Sequence, residues 1–136
     1  MVKVNERYSQ LNDGSGFWAV VEKETAIVVG AILLKTLPDN HGSPTQDYEV
    51  GWHLRRISWG KGYATEAGRA MLNYGFSILQ LPVIYAVVKP ENYASIRVTQ
   101  KLGIDSVGLT NKYYNTELLL FQKDAPHKIK GATIEY

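Results

Sequence analysis

Cysteine is absent from the 136 residues. The chain therefore has no disulfide framework, no thiolate nucleophile and no cysteine metal site. A reducing, intracellular setting agrees with that absence, and the expected compartment is cytoplasmic. No basic block occurs either: 15 Lys and Arg stand against 13 Asp and Glu, spread along the chain, for a net charge of +2. No nucleic acid is therefore expected as a partner. Nor is a membrane. The longest apolar stretch, around Ala26 to Leu34, is well short of the ~20 residues that span a bilayer. Met1 to Gly16 is polar and lacks the apolar core of a signal peptide. What is present suits a soluble globular protein: 45% of the residues are hydrophobic, enough to build one core in a single domain over 1–136.

The rhythm of the chain places the elements. Asn12 to Gly16 is rich in turn residues. Phe17 to Glu22 is aromatic and β-branched, Ala26 to Leu37 is Val- and Ile-rich, and the polar Glu22–Thr25 between them reads as a hairpin turn. Pro38 to Gln46 has the composition of a loop, and Asp47 to Leu54 reads as a third strand with Glu49 within it. From Tyr63 to Leu79 apolar residues recur at helical spacing, until Leu81-Pro82 ends the helix. Val83 to Val88 is a continuous apolar run, expected as a central strand buried on both faces. A second helix is predicted over Tyr93 to Leu102 with Gly103 as its C-terminal cap. Ile104 to Leu109 and Tyr113 to Gln122 suggest a closing pair of strands, and Asp124 to Tyr136 a polar tail. The fold class is α/β (α+β), a mixed sheet whose Glu49-to-Val88 crossover makes one central parallel strand pair.

The segment Trp59-Gly60-Lys61-Gly62-Tyr63-Ala64-Thr65 lies where a strand gives way to a helix. Glycines there let the backbone turn tightly and let a ligand approach. The first helical turn leaves N–H groups unpaired at the positive end of the dipole, which favours a phosphate. Two glycines making a plain tight loop would look the same. The spacing excludes a Walker loop, and the missing third glycine excludes a dinucleotide fingerprint.

Taken with Gly51-Trp52-His53-Leu54 before it, this segment resembles the coenzyme-A motif of the GNAT superfamily of N-acetyltransferases, in particular the branch of ribosomal-protein N-terminal acetyltransferases. The superfamily pattern is Gln/Arg-x-x-Gly-x-Gly/Ala; here Gly62 and Ala64 take the later fixed positions and Trp59 replaces the Gln/Arg, as is common in this branch. A second family motif is similar to Pro90-Glu91-Asn92-Tyr93-Ala94-Ser95-Ile96-Arg97-Val98 through Lys101-Leu102-Gly103-Ile104. The resemblance covers roughly Phe17 to Phe121. It implies a GNAT-like fold, acetyl-CoA as cosubstrate with no metal, and direct transfer of the acetyl group to a primary amine, a protein N-terminus or a small molecule, in a ternary complex. It also implies that the family's first strand and helix are missing, because only about sixteen residues, which look like the tail of a helix, precede Phe17. The first strand would then be an exposed edge, and a homodimer is the expected cover for it.

The resemblance assigns roles. Glu49 stands where the family often places a general base, although an ordinary strand glutamate would look alike. His53 shares its strand face and is a second base or, the better reading, a satisfied histidine. Cofactor binding falls to His53, Leu54, Trp59, Gly60, Lys61, Gly62, Tyr63, Ala64, Thr65, Asn92 and Ser95. Asn92 is equally a helix cap. Thr99 occupies the position of the family's usual tyrosine acid, so Ser95 is the expected hydrogen-bond donor to the departing sulfur, with Tyr93 nearby. Arg97 and Lys101 reach the nucleotide phosphates or form a solvated face. Tyr113, Tyr114 and Trp52 line the acceptor pocket or pack in the core. A non-catalytic acyl-CoA-binding module and an assembly subunit are the alternatives to an enzyme.

Overall fold

The computed structural model describes residues 1–8 and 13–126. Its strands are β1 (Val2–Tyr8), β2 (Gly16–Glu22), β3 (Val28–Pro38), β4 (Pro44–Leu54), β5 (Val83–Val88), β6 (Asp105–Thr110) and β7 (Leu118–Asp124), and its helices α1 (Tyr63–Asn73) and α2 (Tyr93–Leu102). The strands form one seven-stranded sheet in the order β1-β2-β3-β4-β5-β7-β6. Every pairing is antiparallel except β4 with β5, the crossover pair expected from the sequence.

Both helices lie on one face. On β4, Val50 enters the core with Met71 and Leu72 of α1, and Trp52 donates a hydrogen bond to Ser95 of α2. Strand alternation then turns Glu49, Gly51 and His53 to the other face. Ile32, Leu34, Ile84, Ala86, Leu102 and Phe121 complete the core. The helices approach closely at Gly68, where an added Cβ would lie 2.7 Å from Leu102 Cδ1.

Several boundaries differ from expectation. The N-terminal residues are not the tail of a helix: they form β1, antiparallel to β2 from Val2↔Glu22 to Tyr8↔Phe17. The β2 edge is thus covered within the chain, which removes the reason given for a homodimer. The backbone N–H of Val2 donates to Glu66 Oε2 at 3.2 Å, tying β1 to the first turn of α1. Strand β5 is not buried on both faces: Ile84, Ala86 and Val88 are buried, while Val83, Tyr85 and Val87 are half-buried. Helix α1 stops at Asn73, and the chain continues through a wider turn, Tyr74–Ile78, rather than as one helix to Leu79. Strand β7 starts at Leu118 instead of Tyr113, because Tyr114 and Asn115 adopt left-handed backbone angles, φ 58° and 52°, that end strand pairing. Part of the turn at Asn12 and the tail beyond residue 126 lie outside the described residues.

Candidate functional site

Parallel strands β4 and β5 share one paired position, Glu49 with Tyr85. Beyond it β4 runs on to Leu54 and β5 to Val88 without pairing to each other. Their diverging ends open a gap in the sheet whose backbone groups an extended molecule with amides of its own can meet. On the helix side of that gap lies a cleft of about 360 Å³. It is lined by the end of β4, the turn from Ser58 into α1, and one stripe of α2, Ala94, Arg97, Val98 and Lys101.

The α1 end of the cleft is built for an anion. Gly60 and Gly62 both have φ +79°, a conformation that favours glycine, and an added Cβ at either would meet nothing within 4 Å. Gly62 is the N-cap of α1 and has no side chain to satisfy the first-turn amides. The N–H groups of Tyr63, Ala64 and Thr65 therefore remain available, with the helix dipole behind them. Trp59 supports this turn: its Nε1–H donates to the Leu54 carbonyl at 3.0 Å, and the Arg56 guanidinium lies 5.4 Å from its ring.

Lys61 does not line the cleft. Its ammonium lies 3.8 Å from Glu22 Oε2, and the Tyr63 hydroxyl donates to that same carboxylate oxygen. The Tyr63 hydroxyl is pushed up to about 12, first by this hydrogen bond and then by desolvation. Glu22 is held below the usual carboxylate range by hydrogen bonds from Tyr63 and Thr25. The β2–β3 hairpin thus anchors the glycine turn from outside.

At the α2 end, Asn92 Oδ1 accepts the Ser95 N–H at 3.2 Å, so Asn92 is a helix cap. Ser95 Oγ accepts the Trp52 indole N–H at 3.2 Å. That acceptance leaves the Ser95 hydroxyl proton free to be donated elsewhere. Thr99 is fully buried, with its hydroxyl donating to the Ile96 carbonyl at 2.6 Å, and cannot serve as an acid. Of the expected cofactor residues, the cleft brings together His53, Leu54, Trp59, Gly60, Gly62, Tyr63, Ala64, Thr65, Asn92 and Ser95. His53 is exposed rather than satisfied, and its imidazole has no hydrogen bond or ion pair among the described residues.

Glu49 lies on the opposite face and is not an ordinary surface glutamate: it is 5% exposed. Lys35 Nζ donates to its Oε2 at 3.1 Å, and the Tyr114 hydroxyl donates to the same oxygen. Tyr113 donates to Asp47 Oδ2 at 2.7 Å. Burial, and then the carboxylate each one meets, push the hydroxyls of Tyr113 and Tyr114 far up. Neither tyrosine is in a strand; both hang from the β6–β7 turn beside β4.

The end of β4 thus lies between a cleft with free helix amides on one face and, at the last position paired to β5, a buried carboxylate on the other. A family model described as an acetyltransferase (GNAT) domain matches residues 3–105. The chain belongs to the GNAT acetyltransferase family. An N-acetyltransferase named p20 from Bacillus licheniformis is 35% identical over 96 residues, 71% of this chain and 52% of p20. The spermidine N(1)-acetyltransferase of Escherichia coli is 34% identical over 85 residues, 55% of this chain and 46% of that protein. A GNAT-family acetyltransferase structure from Bacillus anthracis superposes with a TM-score of 0.67 at 31% identity, over 80% of this chain and 66% of that one. The GNAT chain therefore spans about half the length of these two curated relatives.

Two site features of this GNAT domain were missed in the sequence. Ala94 and Val98 join the expected Arg97 and Lys101 in one cleft-facing stripe, a signal carried openly as helical spacing. The pairing of Lys35 with Glu49 needs the β3–β4 register, Lys35↔Glu49, which no local pattern supplies.

Proposed function

We propose that this chain is an acetyl-CoA-dependent N-acetyltransferase that transfers the acetyl group directly to a primary amine. The observation that carries this reading is the cleft where β4 and β5 part, lined by the first turn of α1 and by Ser95, with the buried Glu49 at the last paired position of β4. Acetyl-CoA supplies an activated acyl group, and the rest is done by residues of the chain. The first-turn amides of α1 at Tyr63, Ala64 and Thr65, with the turn at Trp59, Gly60 and Gly62, hold the pyrophosphate. The end of β4 at His53 and Leu54, paired to β3 but not to β5, receives the amide-bearing arm, near the capped start of α2 at Asn92. Lys61 supports the turn through Glu22 and reaches the phosphates only if that pair opens.

Three events must be served. Glu49 takes a proton from the amine as its nitrogen attacks the carbonyl carbon. Backbone amides near the gap polarise the carbonyl. The carbon–sulfur bond breaks, and the Ser95 hydroxyl donates a hydrogen bond to the departing sulfur, with the α2 dipole adding to it. The acceptor is a primary amine on a small molecule or a protein N-terminus; similarity to a spermidine acetyltransferase supports the small molecule. The cytoplasm is the proposed setting, and no described helix is long and apolar enough to cross a membrane.

Calorimetry with acetyl-CoA and a thiol-release assay with spermidine, an alanyl peptide and an aminoglycoside test the reading. Binding together with amine-dependent thiol release is expected. Binding without release would leave a non-catalytic acyl-CoA-binding module, and no binding would overturn both. Glu49→Gln is expected to lower turnover by about 100-fold or more, the usual scale for general-base catalysis, with CoA affinity within twofold of wild type.

A further inference from the structure

Resting on the reading of Glu49 as the base, we propose that Lys35, Tyr114 and Asn40 are positioning residues that clamp one oxygen of Glu49 and leave the other for the amine. A buried carboxylate can accept about four hydrogen bonds, two per oxygen. In this structure both side-chain donors converge on one oxygen. Lys35 Nζ lies 3.1 Å from Oε2, and Tyr114 donates to Oε2 while accepting from Lys35 Nζ at 2.9 Å. Oε1 has no hydrogen bond among the described residues, although Glu49 is 95% buried in the sense that only 5% of it is exposed. A buried carboxylate oxygen without a protein donor is costly unless a water or a ligand supplies one. A primary amine or ammonium is the donor that acetyl transfer brings.

Tyr114 is not held there by its own strand. It stands in the β6–β7 turn with φ 58°, which a bulky residue adopts only under constraint. Asn40, in the β3–β4 turn, supplies that constraint: its Nδ2 donates to the Asn111 carbonyl at 2.9 Å and its Oδ1 accepts the Asn115 N–H at 2.9 Å. One side-chain amide thus stitches the two turns together on either side of Tyr114, and the Tyr114 N–H donates to the Pro38 carbonyl at 3.4 Å. The titratable groups around Glu49 are Lys35 from β3, Tyr85 from β5, Tyr114 from the β6–β7 turn, and on its own strand Asp47, itself bonded to Tyr113.

The test uses the full chain with 13C-labelled glutamate. The Glu49 carboxyl resonance is assigned by its loss in Glu49→Gln, and its titration midpoint is followed by NMR in wild type, Tyr114→Phe, Lys35→Met and Asn40→Ala. Loss of a donor to the ionised form raises the midpoint, so Tyr114→Phe and Lys35→Met are each expected to move it up by about one pH unit. Asn40→Ala is expected to move it the same way by less. With spermidine or an alanyl peptide as acceptor, kcat falls about tenfold in Tyr114→Phe, and the acid limb of kcat/KM moves in step with the NMR midpoint. CoA affinity by calorimetry stays within twofold, which shows that the variants fold. Unchanged midpoints in both Tyr114→Phe and Lys35→Met overturn the clamp, whatever the turnover. Wild-type turnover in Glu49→Gln overturns the base instead, and the NMR midpoints then judge the clamp alone.

Discussion

Gly62 separates backbone strain from electrostatics at the cofactor turn. Its φ of +79° lies in the left-handed region, and a Cβ there would meet nothing within 4 Å. Gly62→Ala therefore meets no clash, only the left-handed penalty of about 1 kcal/mol. In a domain of this size that is a fall in Tm of about 3–5 °C. Aspartate tolerates the left-handed region better than alanine. Gly62→Asp is thus expected to be at least as stable as Gly62→Ala. Its effect on ligand binding is opposite. A carboxylate about 4 Å from a phosphate charge costs about 4 kcal/mol at an effective dielectric of ~20. Even after partial screening, Kd for CoA should rise by about 100-fold or more, against less than about threefold for Gly62→Ala. Thermal unfolding and calorimetry with CoA at fixed salt measure both quantities. If Gly62→Asp binds CoA as tightly as Gly62→Ala, the pyrophosphate is not held at this helix end and the reasoning fails.

Three further substitutions follow from contacts already described. Trp52→Phe removes the N–H that holds Ser95 Oγ, and turnover should fall about tenfold, one charge-free hydrogen bond at ~1.4 kcal/mol, while CoA binding persists; steady-state kinetics beside calorimetry decides. Gly68→Val drives a side chain into Leu102 and should cost about 1–3 kcal/mol by overpacking, read as an earlier urea midpoint at unchanged slope. Tyr63→Phe should alter the alkaline limb of stability. The Tyr63 hydroxyl titrates higher folded, at about 12, than its ordinary value of 10.0, so its stabilisation is complete below pH 10 and lost as pH rises toward 12. Wild type should therefore lose Tm over that window faster than Tyr63→Phe; parallel curves would show that the bond to Glu22 contributes nothing.

The glycine turn and the capped second helix were legible because their signals are local. Gly60, Gly62, Asn92 and Ser95 carry their backbone roles in residue type and spacing, and the register Tyr93 to Leu102 with Gly103 following was recovered intact. Strand β1 was not legible, since a short polar segment such as Val2–Tyr8 acquires its conformation only from β2. Tyr113 and Tyr114 looked like strand residues because aromatics favour strands, but hydrogen bonds to Asp47 and Glu49, from residues 65 and 66 positions away in the chain, override that preference. The burial of Glu49 was equally invisible: a glutamate in an alternating strand reads as solvent-facing until the turns that cover it are placed.

The close seat of Gly68 on Leu102 has a consequence for selection among acyl donors. It locks together the two helices whose first turns stand at opposite ends of the cleft, so the interval between them is fixed by packing rather than by loops. Such a frame works as a ruler. On the proposed reading, a donor is measured by whether its anionic end and its reactive end fall at both marks at once. A short acetyl thioester without the distal phosphates would engage only one mark, however well its acetyl group fitted.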